Sequence, residues 1–221
     1  MIRLFDIFLS GVAIVGLLPV CLPICLLLRL TGEGEVFYKQ ERVGINGKKF
    51  HLLKFATMLK DSPNMSTGTI TVANDPRILP MGSILRKTKI NELPQLINIL
   101  IGQMSIIGPR PLTSETFEAY PSEVKTAITS VKPGLSGIGS IIFRNEEKLM
   151  NGRNANIDFY TDVIAPYKGE LEKWYVNNAS VRIYFLLIIL TIVAIIKPNS
   201  YIYRKCLPTL PAAPSSLKNL L

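Results

Sequence analysis

A run of 22 uncharged residues from Ile7 to Leu28 constrains this chain more than any other feature of its sequence. Roughly 18 apolar residues suffice for a membrane helix, so the run is long enough to enter or cross a bilayer. Pro19 and Pro23 interrupt it, and each removes a backbone donor and clashes with the preceding turn, which predicts a break or a bend. No small-x-small site separates the run from Arg29, which disfavours a cleaved signal peptide.

Basic residues flank the apolar run on both sides. Arg3 precedes it, and the basic residues that follow are Arg29, Lys39, Arg42, Lys48 and Lys49. Because basic flanks stay in the cytoplasm, a straight span would place one flank on the wrong side. A helix-break-helix that enters one leaflet and returns satisfies both flanks, so residues 1–30 are predicted to form a re-entrant hydrophobic membrane helix. A spanning helix is the alternative.

The composition favours a membrane protein with an anionic partner. Hydrophobic residues make up 48% of the 221 residues and charged residues 19%, which excludes a disordered chain. The formal net charge of +9 favours lipid headgroups or phosphorylated substrates. Nucleic-acid binding is disfavoured, because the basic residues are not interleaved with aromatic residues and no helix-turn-helix or zinc spacing is visible. The three cysteines and the single His51 form no disulfide or zinc pattern.

Turn signals and apolar spacing predict the elements of the central region. Asn46-Gly47 lies between two aromatic and β-branched runs and predicts a hairpin over residues 36–58. Apolar residues at helical spacing from Met81 to Leu100 predict two helices that meet near Lys89 to Pro94, with Glu92 at the start of the second. As a purely structural alternative, Glu92 merely complements the dipole of that helix.

The remaining segments complete a four-part division. Asp61 to Ala73 is predicted to be a loop, and a further helix is expected around Ser114 to Thr129. Ile183 to Ile196 is too short to span a bilayer and predicts an interfacial helix, with a buried core helix as the alternative. The predicted parts are the membrane helix 1–30, a cytosolic catalytic core 31–180, an interfacial apolar helix and tail 181–207, and a flexible C-terminus 208–221.

Basic residues recur beside glycine and proline turns. They are Lys54, Arg77, Arg86, Lys87, Arg110, Lys132 and Arg144. One interpretation is a solvated basic surface that faces anionic lipid. The other is a diphosphate site, because the planar fork of arginine matches phosphate oxygens and such turns expose backbone N–H groups. The sequence contains no P-loop and no GxGxxG motif, so neither device would hold a nucleotide.

A series of short motifs runs almost from end to end of the chain. In order, they are Arg3-x-x-Asp6, Gln40-Glu41-Arg42-Val43-Gly44, Lys54-Phe55-Ala56-Thr57-Met58, Asn74-Asp75-Pro76-Arg77, Leu85-Arg86-Lys87-Thr88, Asn91-Glu92-Leu93-Pro94-Gln95-Leu96, Gly108-Pro109-Arg110-Pro111, Lys132-Pro133-Gly134-Leu135-Ser136-Gly137 and Trp174-Tyr175. In this order and spacing they resemble the bacterial sugar transferases that are monotopic phosphoglycosyl transferases. The resemblance implies a helix-dominated α+β fold with a re-entrant N-terminal membrane helix, a small cytosolic α/β core and interfacial C-terminal helices.

The resemblance also implies a reaction and a location. A sugar-1-phosphate would pass from a UDP-sugar to a polyprenyl (undecaprenyl) phosphate with release of UMP, which initiates O-antigen, capsule or related glycan assembly. A carboxylate of an Asp-Glu pair would attack the phosphate, and Mg²⁺ would assist. By analogy Lys54, Arg86 and Arg110 would bind the phosphates, and Glu92 would lie with the metal. The protein would lie in the bacterial inner membrane, with its catalytic core facing the cytoplasm.

The sequence departs from the family pattern in three places. Asn91 replaces the Asp of the pair, and Gln103 replaces the Asp of the family's Gly-Asp-Met-Ser segment. The segment from Ile138 to Arg144 stands where the family more often has Trp-Ala-Gln-Val-Asn-Gly-Arg. A neutral amide is a poor nucleophile, which leaves three alternatives for the mechanism. In the first, Glu92 attacks, and another acid lies near the metal; the candidates are Glu146, Glu147 and Asp158. In the second, Asn91 only forms hydrogen bonds and transfer is direct. In the third, the chain is a catalytically silent membrane protein that binds a partner enzyme, lipid or UDP-sugar.

Overall fold

The computed structural model describes residues 1–65, 75–144, 159–198 and 200–217. Within these ranges the chain forms nine α-helices and four short strands, which confirms the helix-dominated α+β fold. The strands form two separate two-stranded sheets, one antiparallel and one parallel. The proposed division at residues 30, 180 and 207 stays a prediction.

Helix α1 runs from Ile2 to Leu30 and contains both prolines of the apolar run. Helical conformation continues through Pro19 and Pro23, so the chain does not separate there into two helices. An internal proline costs about 3 kcal/mol, because it removes a backbone donor and clashes with the preceding turn. By length and composition α1 could cross a bilayer, and 11% of its most apolar window is buried inside the protein.

Both ends of α1 are fixed on the same core. Near its start, the Arg3 guanidinium donates to the carbonyl oxygens of Ile99 at 2.5 Å and Leu100 at 2.8 Å. Near its end, Ile24 and Leu28 are buried in a cluster that also contains Phe55 and Leu85. The flanks of the apolar run therefore contact the same body, and the path of α1 through the membrane stays a prediction.

The predicted hairpin is confirmed. Strand β1 (Phe37–Val43) pairs antiparallel with strand β2 (Lys49–Phe55). The connection adopts the left-handed conformation that the asparagine-glycine pair favours, with φ 55° at Asn46 and φ 71° at Gly47. Phe50 and Leu52 of β2 are buried in a cluster with residues of α1 and with Leu96 and Ile99, which lie farther along the chain.

The two helices predicted between Met81 and Leu100 are present. They are α2 (Pro80–Lys87) and α3 (Gln95–Leu100), joined by a single 3₁₀ turn over Ile90–Glu92. Glu92 was expected at the start of the second helix, but α3 begins three residues later, after Pro94 at its N-cap. Lys89 adopts φ 61°, which ends the first helix and turns the chain into the 3₁₀ segment.

The parallel sheet brings two distant turns together. Strand β3 (Ser105–Ile107) pairs with strand β4 (Gly134–Ser136), and α4 (Ser114–Glu118) and α5 (Ser122–Thr129) lie between them in sequence. One helix was expected over Ser114 to Thr129; there are two, because Pro121 lacks the N–H that a continuous helix needs. A short α6 (Ile138–Ile142) follows β4.

The C-terminal helices enclose the largest core cluster. A π-helical turn (Tyr160–Ile164) leads into α7 (Ala165–Asn178), followed by α8 (Val181–Ile196) and α9 (Ile202–Cys206). One face of α8 is buried; its buried residues are Tyr184, Leu187, Leu190 and Ala194. Its opposite face exposes Phe185, Ile189, Ile192, Ile195 and Ile196. Within the predicted flexible C-terminus, Leu217 is fully buried against this core.

Candidate active site

A polar cleft lies where the hairpin meets the 3₁₀ turn and the Gly108–Pro111 turn. It encloses about 250 Å³, including space open to solvent. The residues that line it are Arg42, Leu52, Lys54, Glu92, Gln95, Arg110, Pro111, Gly134 and Leu135. Three of the sequence-predicted residues, Lys54, Glu92 and Arg110, therefore share one cleft.

The register of the hairpin places two cations on one face. Arg42 pairs with Phe50, and Tyr38 pairs with Lys54, two steps farther along the same face. The buried Phe50 and Leu52 turn this face toward the core. Arg42 and Lys54 lie on the same face as the buried core residues and are themselves only half-buried.

The Glu92 carboxylate is surrounded by cations. Its Oε1 lies 3.7 Å from Nη2 of Arg110, and 17% of its side chain is exposed. Burial alone would raise the pKa of Glu92, but Arg110, Lys54, Lys89 and Arg42 outweigh it, so the pKa lies below its usual range. The carboxylate is therefore ionised at neutral pH.

Lys54 is the titratable cation of the cleft. Burial lowers its pKa to about 7; Arg42, Arg110 and Arg86 add to that shift, while Glu92 opposes it. Near neutral pH the amine is thus divided between charged and neutral forms. A bound phosphate favours the charged form, so ligand binding would draw a proton onto Lys54.

The Gly108–Pro111 turn holds Arg110 in place. The Gly108 N–H donates to the Ser136 carbonyl at 2.9 Å, and the Gly134 N–H donates to the Pro109 carbonyl at 2.8 Å. A Cβ at Gly134 would lie 2.1 Å from the Gly108 nitrogen, so only glycine permits this approach. Two strands from distant parts of the chain therefore fix the backbone that carries Arg110.

Arg42 closes the other side of the same turn. Its Nη1 donates to the Pro111 carbonyl at 3.1 Å, and its Nη2 donates to Gln40 Oε1 at 2.6 Å. Burial, with Arg110 nearby, lowers the pKa of Arg42 to about 10, so the guanidinium stays protonated at neutral pH. Its Nε is buried and has no hydrogen-bond partner among the residues that the structure describes.

Arg86 lies at the edge of the cleft rather than in its lining. Its Nη1 is 3.6 Å from Met58 Sδ, and its charge acts on Lys54. Helix α2 packs closely against the segment that follows β2, because a Cβ at Gly82 would lie 2.1 Å from the Thr57 carbonyl oxygen. The structure thus places Lys54 and Arg110 near Glu92, and it places Arg86 close enough for its charge to act on Lys54; the roles of all three stay predictions.

Glu92 was expected to lie with Mg²⁺, and Asn91 precedes it in the same 3₁₀ turn. Asn91 is buried, and its Oδ1 has no hydrogen-bond partner in the described part of the chain. The described residues contain no group of three or more His, Cys, Asp or Glu side chains that could hold a metal. Mg²⁺ commonly binds one or two protein oxygens and completes its shell with substrate phosphates and water. One carboxylate beside one orphaned amide oxygen fits that mode.

The other departures from the family pattern have different outcomes. Gln103 is outside the cleft: its Oε1 accepts from Asn98 Nδ2 at 2.7 Å, and Asn98 in turn bonds the backbone of β2. The loss of an Asp at this position therefore does not remove a charge from the cleft. The three alternative acids, Glu146, Glu147 and Asp158, lie outside the described residues.

Sequence reasoning missed the role of two polar side chains in the cleft. Arg42 belonged to a recognised motif, and the alternation along β1 that puts it on the face of Lys54 was a usable signal. Gln95 is buried at the first position of α3 and lines the cleft. Nothing in its local sequence distinguishes Gln95 from an ordinary helical glutamine, so only the tertiary structure identifies it.

Comparison with known proteins agrees with the motifs. The family model described as "Bacterial sugar transferase" matches residues 1–198. The exopolysaccharide production protein ExoY of Rhizobium meliloti is 37% identical over 158 residues, which are 65% of this chain and 70% of that protein. The UDP-glucose:undecaprenyl-phosphate glucose-1-phosphate transferase of Escherichia coli is 34% identical over 165 residues, which are 73% of this chain and 35% of that protein. The undecaprenyl-phosphate galactose phosphotransferase of Salmonella typhimurium is 32% identical over 191 residues, which are 80% of this chain and 36% of that protein.

Proposed function

Because the chain belongs to the bacterial sugar transferase family, we propose that it transfers a sugar-1-phosphate from a UDP-sugar to undecaprenyl phosphate and releases UMP. Two relatives are named for a transfer of this kind, with glucose in one case and galactose in the other. A third is named for exopolysaccharide production, which supports a place at the start of polysaccharide assembly.

The observation that carries the proposal is the charge of the cleft. Arg42, Lys54 and Arg110 line the cleft together with the carboxylate of Glu92, which gives 3 − 1 = +2 when Lys54 is protonated. A diphosphate diester carries about two negative charges and spreads more onto its oxygens during transfer. Catalysis of phosphoryl transfer depends mainly on positioning and on neutralising that charge, and this cleft supplies both.

Glu92 is the proposed nucleophile. One carboxylate oxygen attacks the phosphorus that bears the sugar, and the phosphorus–oxygen bond to UMP breaks, with its electron pair leaving on UMP. An oxygen of undecaprenyl phosphate then attacks the same phosphorus, and the carboxylate leaves with its electron pair. Neither step requires a proton transfer at Glu92, because the cations keep this carboxylate ionised.

Mg²⁺ would be held by Glu92 and by the Oδ1 of Asn91, together with the substrate phosphates. When bound, it would neutralise charge on the diphosphate. The cleft is positively charged without a ligand, so the protein's own residues attract the metal weakly. The diphosphate and the metal are therefore expected to bind together.

The proposed location is the membrane surface, with the core on the cytoplasmic side. Helix α1 packs against α3 and, through an edge-to-face contact of Phe5 with Phe185 at 5.0 Å, against α8. These three helices expose apolar side chains to their surroundings: Phe8, Val12, Val15, Leu22, Leu26, Ile97, Leu100, Ile189 and Ile192. Such a surface favours burial in one leaflet. Since both ends of α1 contact one core, a path that keeps both ends on one side of the bilayer is favoured over a span.

The test is release of UMP by the purified full chain in detergent. It is incubated with undecaprenyl phosphate and a panel of UDP-sugars that begins with UDP-glucose and UDP-galactose. Glu92→Gln should abolish release, whereas Glu170→Gln, the same change at an exposed position on α7, should not. Wild-type turnover by Glu92→Gln would remove the nucleophile assignment.

A second candidate function follows from Asn91. A neutral amide stands where a carboxylate of the pair would be expected, and a chain that has lost its nucleophile could still bind UDP-sugar or a partner enzyme. UDP-sugar binding without UMP release, under all metal and acceptor conditions, would favour this catalytically silent alternative.

A further inference from the structure

Glu172 on α7 is a buried acid that the proposed reaction does not use. Only 3% of the residue is exposed, and neither carboxylate oxygen has a hydrogen-bond partner of good geometry within the residues described. Buried polar atoms are nearly always hydrogen-bonded, so a buried carboxylate without a hydrogen bond is unusual. A charge in such a place is costly unless it stabilises a nearby opposite charge or dipole.

The surroundings of Glu172 are positive. Lys168, one turn earlier on α7, is also 3% exposed and acts on the carboxylate, as do the guanidinium and the backbone N–H of Arg110. These groups favour ionisation, whereas burial opposes it and raises the pKa of Glu172 to about 7. A Cβ at Gly139 would lie 2.3 Å from Glu172 Oε1, so α6 packs directly over the carboxylate.

The neighbouring residues of α7 show that this face supports the turn of Arg110. Tyr175, one turn after Glu172, donates its hydroxyl to the Ile107 carbonyl at 3.1 Å. Ile107 is the last residue of β3 and immediately precedes the Gly108–Pro111 turn. Pro109 and Pro111 have no N–H, so Arg110 carries the only backbone donor of that three-residue stretch. What faces this donor decides how the Arg110 backbone is oriented.

We propose that Glu172 is a positioning residue, whose negative charge beneath the turn orients Arg110 so that its guanidinium faces Glu92 and the bound diphosphate. The identity of the ligand rests on the proposed function; the orientation of the turn does not. The competing explanation is that Glu172 serves only as the buried partner of Lys168. In that case its effect on ligand binding would not depend on Arg110.

A double-mutant cycle separates these two explanations. The dissociation constant of UDP with Mg²⁺ is measured by calorimetry on the full chain in detergent, for wild type, Glu172→Gln, Arg110→Ala and the double variant. We expect Glu172→Gln to weaken UDP binding by about tenfold in the wild-type background and by less than about twofold in the Arg110→Ala background. Glu172→Asp should recover part of the affinity, and Glu170→Gln, the exposed control on the same helix, should leave it unchanged.

An equal loss of affinity in both backgrounds would overturn the proposal. Glu172→Gln removes a negative charge that acts on the buried Lys168, so this variant can fail to fold. If it does, the cycle is run with Lys168→Gln/Glu172→Gln, which removes the pair together, and the same coupling to Arg110 is required.

Hydrogen exchange of the peptide that covers residues 105–113 provides a readout without ligand. Glu172→Gln should speed exchange there more than Glu170→Gln does, and unchanged exchange would contradict the positioning role. If the wild type binds no UDP, the proposed function fails, and this exchange result still decides whether Glu172 orients the turn.

Discussion

Asp6 and Tyr184, which are 178 residues apart, share a buried hydrogen bond of 2.9 Å from the tyrosine hydroxyl to Asp6 Oδ1. The same carboxylate oxygen accepts from the Ser105 hydroxyl at 3.0 Å and from the Ile106 N–H at 2.9 Å. One acid therefore ties α1 to α8 and to β3, the strand that leads into the Gly108–Pro111 turn. The position of the apolar helix and the geometry of the cleft are coupled through this residue.

Removing the Tyr184 hydroxyl should cost less than removing the Asp6 carboxylate. Tyr184→Phe deletes one of three hydrogen bonds, for an expected loss of about 1 to 2 kcal/mol in the free energy of unfolding. Asp6→Ala leaves three buried donors unsatisfied and should cost about 3 kcal/mol or more. Denaturant unfolding in detergent measures both. Equal losses would show that Asp6 does not act as the shared acceptor.

Lys54 should make UDP binding pH-dependent above neutrality. Its pKa is about 7 in the free protein, so the amine loses its charge as the pH rises through that value. Phosphate binding favours the charged form, and the bound protein takes up a proton that becomes scarcer at higher pH. Affinity should therefore fall by up to about tenfold per pH unit from pH 7 to 9.

The control for that prediction is Lys54→Arg, which stays protonated over the same range. Glu172 titrates near pH 7 as well, so the difference between the two profiles is the readout rather than either profile alone. Calorimetry at pH 6, 7, 8 and 9 measures it. A Lys54→Arg profile that falls as steeply as the wild type would contradict the assignment.

Asn91→Asp tests whether the missing acid matters. The new carboxylate would occupy the buried position whose amide oxygen has no partner among the described residues. We expect tighter Mg²⁺ binding and faster UMP release, together with a loss of about 1 to 3 kcal/mol of stability in the absence of metal, because a buried charge is uncompensated there. Thermal unfolding with and without Mg²⁺ checks the second effect. A variant indifferent to Mg²⁺ in both measurements would show that position 91 does not reach the metal.

Local signals predicted the parts of the fold that local physics determines. Asn46-Gly47 predicted the hairpin because asparagine and glycine adopt the left-handed conformation of this turn at little cost. The Ser114–Thr129 helix was wrong in detail because Pro121 starts a second helix, and the proline was visible in the sequence. The prediction of one helix did not take into account that Pro121 interrupts helical hydrogen bonding.

The cleft was predicted only in part, because its assembly is non-local. Lys54, Glu92 and Arg110 were identified through motifs, but no sequence pattern states that Gly134 meets Gly108 or that Gln95 turns inward. Glu172 was invisible for the same reason. From the sequence alone, a single acid on a helix is predicted to be exposed. Only the tertiary structure shows that Gly139 packs over Glu172.

Mg²⁺ and UDP should bind with positive coupling. Without nucleotide the cleft carries a net positive charge, so the affinity for Mg²⁺ should be weak; the diphosphate offsets that charge and adds ligand oxygens. We expect UDP to tighten Mg²⁺ binding by at least about tenfold, and Mg²⁺ to tighten UDP binding by the same factor, since the coupling is reciprocal. Calorimetric titrations in both orders measure the two factors. Independent binding would place the metal away from the diphosphate.

The path of α1 through the membrane can be tested from its two ends. Arg3 and Asp6 at one end, and Ile24 and Leu28 at the other, contact the same core, so both flanks should lie on the cytoplasmic side. In a variant whose native cysteines are replaced by serine, a single cysteine is introduced at Leu4, which is 71% exposed, or at Glu33 beyond the helix. A membrane-impermeant thiol reagent should label neither position in cells whose outer membrane alone is permeabilised, and both positions after lysis.

A spanning helix gives a different pattern, because its ends lie on opposite sides of the bilayer. Exactly one of the two cysteines would then be labelled before lysis. Such a result would also require the contacts of Arg3 and Asp6 with the core to be broken, because one core cannot lie on both sides of the bilayer. Asp6→Ala would then leave stability unchanged, which makes the labelling and unfolding experiments checks on each other.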